Sequence, residues 1–186
     1  LLKTDDIALL LEATEPAQLS IIDKALRLVP IIKGTDEKSI EHCNDIIARA
    51  LLDVIFSGSN HNEVRNRIVS VLTQFATSDI NLDINLTKGG WTRTIRQCIF
   101  VEGTGKFADI EVVISYLEQF CTNNFELTTP DGSYMYSIND FYTSLEFALI
   151  SEGIFSSSRI FDYANILKIK LNGLINSDYV NYFIFY

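Results

Sequence analysis

Three stretches of the chain run in the same order: a short apolar helical run, a glycine, a polar link, then a longer amphipathic run. They read "IARALLDVIFSGSNHNEVRNRIVSVLTQF", "TRTIRQCIFVEGTGKFADIEVVISYLEQF" and "TSLEFALISEGIFSSSRIFDYANILKIKL". A pair of helices cannot bury its apolar stripe alone, so a recurring pair implies units that cover one another's faces. The links around Gly58, around Gly103 with Gly105, and around Gly153 are short, which makes the paired helices antiparallel neighbours. "DDIALLLEA" followed by "PAQLSIIDKALRLV" forms a fourth, less similar pair. The expected fold is therefore all-α, a solenoid of about four helical hairpins. It is expected as one helical-repeat domain over 1–186, with units near 1–34, 35–83, 84–127 and 128–175 and a cap over 176–186.

Apolar spacing defines the longer helix of each pair. Val64, Ile68, Val71, Leu72 and Phe75 make one helical stripe, and Ile110, Val113, Ile114 and Leu117 make another. Ile160, Ala164, Leu167 and Leu171 follow a run of serines able to cap a helix. Leu19, Ile22, Leu26 and Val29 follow Pro16, which suits a first helical turn.

Charge and cysteine usage exclude several classes of function. The net charge is −9, and the lysines and arginines are scattered, which argues against a nucleic-acid partner. With 47% apolar and 21% charged residues the chain can fold around a core, yet it has no apolar run long enough to span a bilayer. Cys43, Cys98 and Cys121 form no CxxC pair and cannot all be bridged, which points to a reducing, cytoplasmic compartment. Leu1 is followed by no signal or transit peptide, so the chain is expected to begin inside a longer protein.

No catalytic set emerges. His42 and Cys43 are adjacent, and adjacent residues on a helix point about 100° apart rather than at each other. Two histidines and dispersed cysteines give no zinc spacing. "EGTGK" at 102–106 lacks the order of a phosphate loop, and Asp109 and Glu111 fall on different helical faces. The chain is expected not to be an enzyme and to need no cofactor or metal.

The stretch from 84 to 120 resembles an ankyrin repeat, and the resemblance extends over residues 46–171 and is faint over 1–45. "GGWT" at 89–92 is similar to that family's turn and helix-opening Thr, "VEG" at 101–103 to its inter-helix glycine, and "DIEVVISYLEQ" to its second helix. "DINLDINLT" resembles the connecting loop, and "DG" at 131–132 with Thr143, Leu145 and Ala148 resembles the start of the next unit. Two features depart from the pattern. Gly58 to Gly103 is 45 residues and Gly103 to Gly153 is 50, against about 33 for ankyrin units and about 40–47 for HEAT or armadillo units. Arg93 or Ser144 and Glu146 stand where the family has Pro and His.

The resemblance implies a protein-binding adaptor presenting loop tips and first helices. Divergence and composition suggest the ankyrin-containing effectors of intracellular bacteria, which would place it in a host cytosol and against a host protein. The residues expected to face a partner are Trp91, Arg93 and Arg96 near the turn, and Tyr134, Tyr136 and Tyr142 on the insertion "DGSYMYSINDFY". The alternative is a structural or regulatory appendage packing on a catalytic domain elsewhere, through Tyr182, Phe183 and Phe185 of "YVNYFIFY".

Overall fold

A computed structural model describes residues 3–122, 136–152 and 158–177. Among these the chain is mostly helical, with eight α-helices and one two-stranded sheet. In order they are α1 (Thr4–Leu10), α2 (Pro16–Lys33), α3 (Glu37–Ile55), α4 (His61–Phe75), β1 (Asn85–Lys88), β2 (Trp91–Thr94), α5 (Ile95–Cys98), α6 (Ile110–Leu117), a 3-10 turn (Glu118–Phe120), α7 (Ile138–Ser151) and α8 (Ser158–Ile175). They fall into two compact units, residues 1–39 with 126–186, and residues 40–125.

The first unit packs α2, with α1 against it, on α7 and α8 from the other half of the chain. α1 ends in a Schellman motif, in which the Ala13 N–H donates to the Ala8 carbonyl at 2.8 Å and the Glu12 N–H to that of Leu9 at 3.1 Å. Glu12 holds the left-handed position usually given to glycine, at φ 47°. α2 starts at Pro16, whose missing N–H costs nothing in a first turn, and Gln18 Oε1 accepts from the Thr14 N–H at 3.2 Å. Ile21, Ile22, Ala25, Leu28 and Val29 form its buried face, rotated from the stripe that Leu19 and Leu26 suggested. α2 packs against α1, α7 and α8.

α7 is the centre of this unit. Ser144 through Ile150 are all buried, because helices pack on more than one side of it. Its start is capped by Ser137, whose Oγ accepts from the Asp140 N–H at 3.1 Å while the Asp140 carboxylate accepts from the Ser137 N–H at 2.7 Å. Two polar residues lie in the buried run. Glu146, 9% exposed, is paired with Lys168 of α8 at 2.5 Å. Ser144 Oγ is buried without a hydrogen-bond partner among the described residues. An unsatisfied buried hydroxyl costs about 1–3 kcal/mol, so Ser144→Ala is expected to raise stability by about 1 kcal/mol, read as a higher urea midpoint at unchanged slope.

The described residues do not show hairpins in a linear row. In such a row each unit meets only its neighbours in sequence, whereas here α2, of the first expected hairpin, packs on α7 and α8, of the fourth. Every apolar face of α7 needs a cover, and α2 supplies the larger one.

Asp140 also links α7 to α2, since Lys33 Nζ lies 2.8 Å from its carboxylate. Burial pushes this carboxyl up, but the Lys33 ammonium and the Ser137 N–H and hydroxyl together hold it below its ordinary value of 3.8. A depressed folded pKa means stability that is present above the unfolded value and lost as pH falls through the folded one. Asp140→Asn is therefore expected to flatten the loss of stability with acid below about pH 4, measured by urea unfolding across that range.

In the second unit, α3 is buried without a break over Asn44–Ala48, while α4 buries one stripe. That stripe is Val64, Ile68, Val71, Leu72 and Phe75, as the spacing predicts, and Asn60 caps the helix by accepting from the Glu63 N–H at 3.0 Å. Residues 84–100 differ from expectation. "TRTIRQCIFV" is not one helix: Trp91–Thr94 is a strand and the helix after it is only Ile95–Cys98. Gly89 and Gly90 both have positive φ, 56° and 88°, the geometry of a two-residue hairpin turn whose twist matches that of its strands. The helix-opening residue is Thr94 rather than Thr92, with Oγ1 accepting from the Gln97 N–H at 3.3 Å. Alternating Thr, Trp and Arg beside a Gly-Gly pair favours the extended form.

Candidate interaction groove beside the hairpin

The register of the hairpin decides which of its backbone groups are free. Asn85 pairs with Thr94, Leu86 with Arg93, Thr87 with Thr92 and Lys88 with Trp91. Just beyond the hairpin the Ile95 N–H donates to the Ile84 carbonyl at 3.2 Å. In an antiparallel pair, hydrogen-bonded and non-bonded positions alternate. Leu86 and Lys88 therefore turn their N–H and C=O toward β2, and Asn85 and Thr87 turn theirs to the outer edge. Consistent with this, the side chains of the non-bonded pair Thr87 and Thr92 touch, with their hydroxyls 3.2 Å apart.

Along that edge runs a groove of about 490 Å³. It is lined by Asn85, Leu86, Thr87 and Lys88 of β1, by Val112, Ser115 and Tyr116 of α6, and by Gln119. Successive strand side chains point to opposite faces. A groove touching four successive residues of β1 and none of β2 thus follows the outer edge, not a face. On the helical side the lining positions fall at steps of three and four, one face of α6 and its 3-10 extension. Its size is within the range of about 300–1,000 Å³ typical of ligand sites.

Both walls are held from behind. The Tyr116 hydroxyl donates to the Asp79 carbonyl oxygen at 2.6 Å. Burial, with the nearby Asp79 carboxylate, raises the pKa of that phenol. Asn44 of α3, 3% exposed, donates to the Asp79 carboxylate at 2.7 Å and accepts from the Thr77 hydroxyl at 2.6 Å. Thr77 Oγ1 in turn accepts from the Ile80 N–H at 2.9 Å. Further along, Asp45 accepts from the Thr122 N–H at 2.7 Å, and Arg49, paired with Asp45 at 3.0 Å, donates to the Thr122 carbonyl at 2.6 Å. On the other wall Leu86 is 4% exposed and anchors β1 in the core.

Of the residues expected to face a partner, Trp91 and Arg93 come together and Arg96 stands apart. Trp91 is half-buried on β2, with the Arg93 guanidinium 4.9 Å from its ring centre. Arg93 is also ion-paired with Asp109, and exposed Arg96 pairs with Asp83 at 3.2 Å. Tyr136 and Tyr142 belong to the first unit. Tyr136 is 6% exposed, and burial raises its hydroxyl pKa to about 12, so its ring packs inside rather than projecting. Tyr142 is half-buried, with Lys168 Nζ 6.0 Å from its ring centre. Tyr134, Tyr182, Phe183 and Phe185 lie outside the described residues, as do Gly132 and Gly153.

Other features are structural. "EGTGK" is a tight turn, in which the Glu102 N–H donates to the Lys106 carbonyl at 2.8 Å and Gly105 sits at φ 77°. His61 holds that turn, its Nδ1 2.6 Å from the Gly105 carbonyl oxygen and its ring 4.6 Å from that of Phe107. Burial raises the thiol of Cys43 to about 11, and burial also raises those of Cys98 and Cys121, which disfavours the nucleophilic thiolate in each. Among the described residues no group of His, Cys, Asp and Glu could hold a metal ion, and no helix is long and apolar enough to cross a membrane.

The groove is not foreseen because the residues of β1 suit a connecting loop and those after Trp91 suit a helix. The Gly-Gly pair between "NLTK" and "WTRT" carried the signal. Comparison with protein-family models, with curated proteins and with solved structures finds no match to this chain.

Proposed function

We propose that the chain is a protein-interaction module that binds its partner along the groove between β1 and α6, with Trp91 and Arg93 on the neighbouring strand β2. The observation that carries this reading is the outer edge of β1, where the main-chain groups of Asn85 and Thr87 line an open groove of about 490 Å³. An unpaired strand edge is a ready template for another chain. The lining contains no acid, base or nucleophile in a catalytic arrangement, which favours binding over catalysis.

The ankyrin-like adaptor reading is proposed at the level of paired helices within the second unit, where α3 is followed by α4 across residues 56–60 and α5 by α6 across residues 99–109. An effector acting on a host protein in the cytosol is the form of adaptor that the composition favours.

Filling the groove tests the reading. Ser115 is exposed on its helical wall. Ser115→Trp is expected to leave the circular dichroism and melting temperature unchanged and to abolish retention of a protein captured by the unmodified chain. Retention unaffected by Ser115→Trp would move the binding surface elsewhere. A chain that captures nothing would instead favour the appendage reading.

A further inference from the structure

We infer that the occupant of the groove is an extended segment of a partner protein, added as a strand along the outer edge of β1 with an acidic side chain beside Lys88. The inference rests on the reading of the groove as a protein-binding site and names what enters it. Three observations favour this occupant.

The first is the repeat of the free groups. Asn85 and Thr87 present N–H and C=O to the same side, two residues apart, which is roughly 6.8 Å along a strand. Any extended peptide carries main-chain donors and acceptors at that repeat, so β1 recognises backbone rather than a particular side chain. The second is the lining beside them: all four residues of β1 and one face of α6 border the groove. Val112 and Tyr116 offer an added strand apolar contact, and Ser115 and Gln119 offer hydrogen-bonding groups.

The third is charge. Among the described residues Lys88 is the one charged residue lining the groove, and it is exposed at the turn end. The chain's net charge of −9 repels an acidic partner at long range. Beyond about 8 Å, however, physiological salt screens that repulsion, and a direct contact with the Lys88 ammonium decides the local preference.

The test uses the intact chain and a display library of random octapeptides, with Kd values for selected peptides measured by fluorescence anisotropy. Selected peptides are expected to carry Asp or Glu and to protect the Asn85 and Thr87 amides from hydrogen exchange. Thr87→Pro removes an N–H that points away from β2, so the hairpin ladder survives. It is expected to weaken binding about tenfold, while Thr87→Val, which keeps the N–H, changes it less than about threefold. If Thr87→Pro misfolds by circular dichroism, N-methylation of alternate peptide residues makes the same test from the ligand's side. Lys88→Glu is expected to shift selection toward basic peptides.

Selected peptides that ignore Thr87→Pro and backbone N-methylation would overturn the added strand while leaving protein binding in place. Failure to select any peptide, when Ser115→Trp still abolishes capture of a protein, would mean that the groove takes a folded surface and would overturn the inference alone. Failure of both would overturn the reading beneath it as well. A chain that dimerises, and that Thr87→Pro makes monomeric, would identify the occupant as a second copy.

Discussion

Phe141→Ala is expected to cost about 3–5 kcal/mol, a larger loss than that of Asn44→Ala. Phe141 is 1% exposed and among the largest fully buried side chains, on the helix that packs against both α2 and α8. Truncation removes the transfer energy of a benzyl group and leaves a cavity that neighbouring helices close only in part. A typical domain has only about 5–15 kcal/mol of stability, so the loss is a large share of the total. Urea unfolding reads the loss, and hydrogen exchange locates it, with the amides of α2 and α7 expected to lose protection. Phe141→Leu, which keeps most of the volume, is expected to cost about 1.5 kcal/mol or less. Equal losses for Ala and Leu would show that the site does not depend on packing.

Asn44→Ala is expected to cost about 2–3 kcal/mol, because it breaks two hydrogen bonds of a buried network, one of them to a carboxylate. The consequence extends to function. Asn44 and Tyr116 both hold Asp79, one at its side chain and the other at its backbone, and Tyr116 is part of the groove wall. Tyr116→Phe alone is expected to cost about 1 kcal/mol, and the double variant to differ from the sum of the singles. Unfolding of the four proteins in the cycle measures that coupling. Strict additivity would mean that Asp79 does not connect α3 to the groove.

The residues that could be read correctly from sequence share a property. Helical position depends on a short-range period, and the stripe of α4 is buried just where its spacing places it. Pro16 acts within the first helical turn, so that start is legible too, whereas α7 begins at Ile138, inside the stretch expected to be a loop insertion. The α2 stripe was read one residue out of phase, since Ile21 and Ile22, then Leu28 and Val29, allow two faces until a neighbour selects one. Residues 85–91 suit a loop and turn and Thr92–Thr94 a helix start, since "TIRQCIFV" continues an apolar run, but the Gly-Gly turn commits both of its flanks to a hairpin.

Tyr136 makes the same point for the site. An aromatic-rich insertion offers contact area, but nothing in its composition says whether a ring turns outward or inward, and here it is buried. The groove could not be seen at all without partners, because it needs β1 aligned with a helix more than twenty residues later in the chain. Local sequence thus specified the helices, their caps and most of their apolar faces, all of which depend on interactions within a turn or two of backbone. Folding in three dimensions chose what those faces meet. It set α2 on α7 across more than a hundred residues of chain. Among the described residues it also left the edge of β1 beside α6 without a strand partner, because long-range packing follows from the shape and burial of whole surfaces rather than from the period of any one segment.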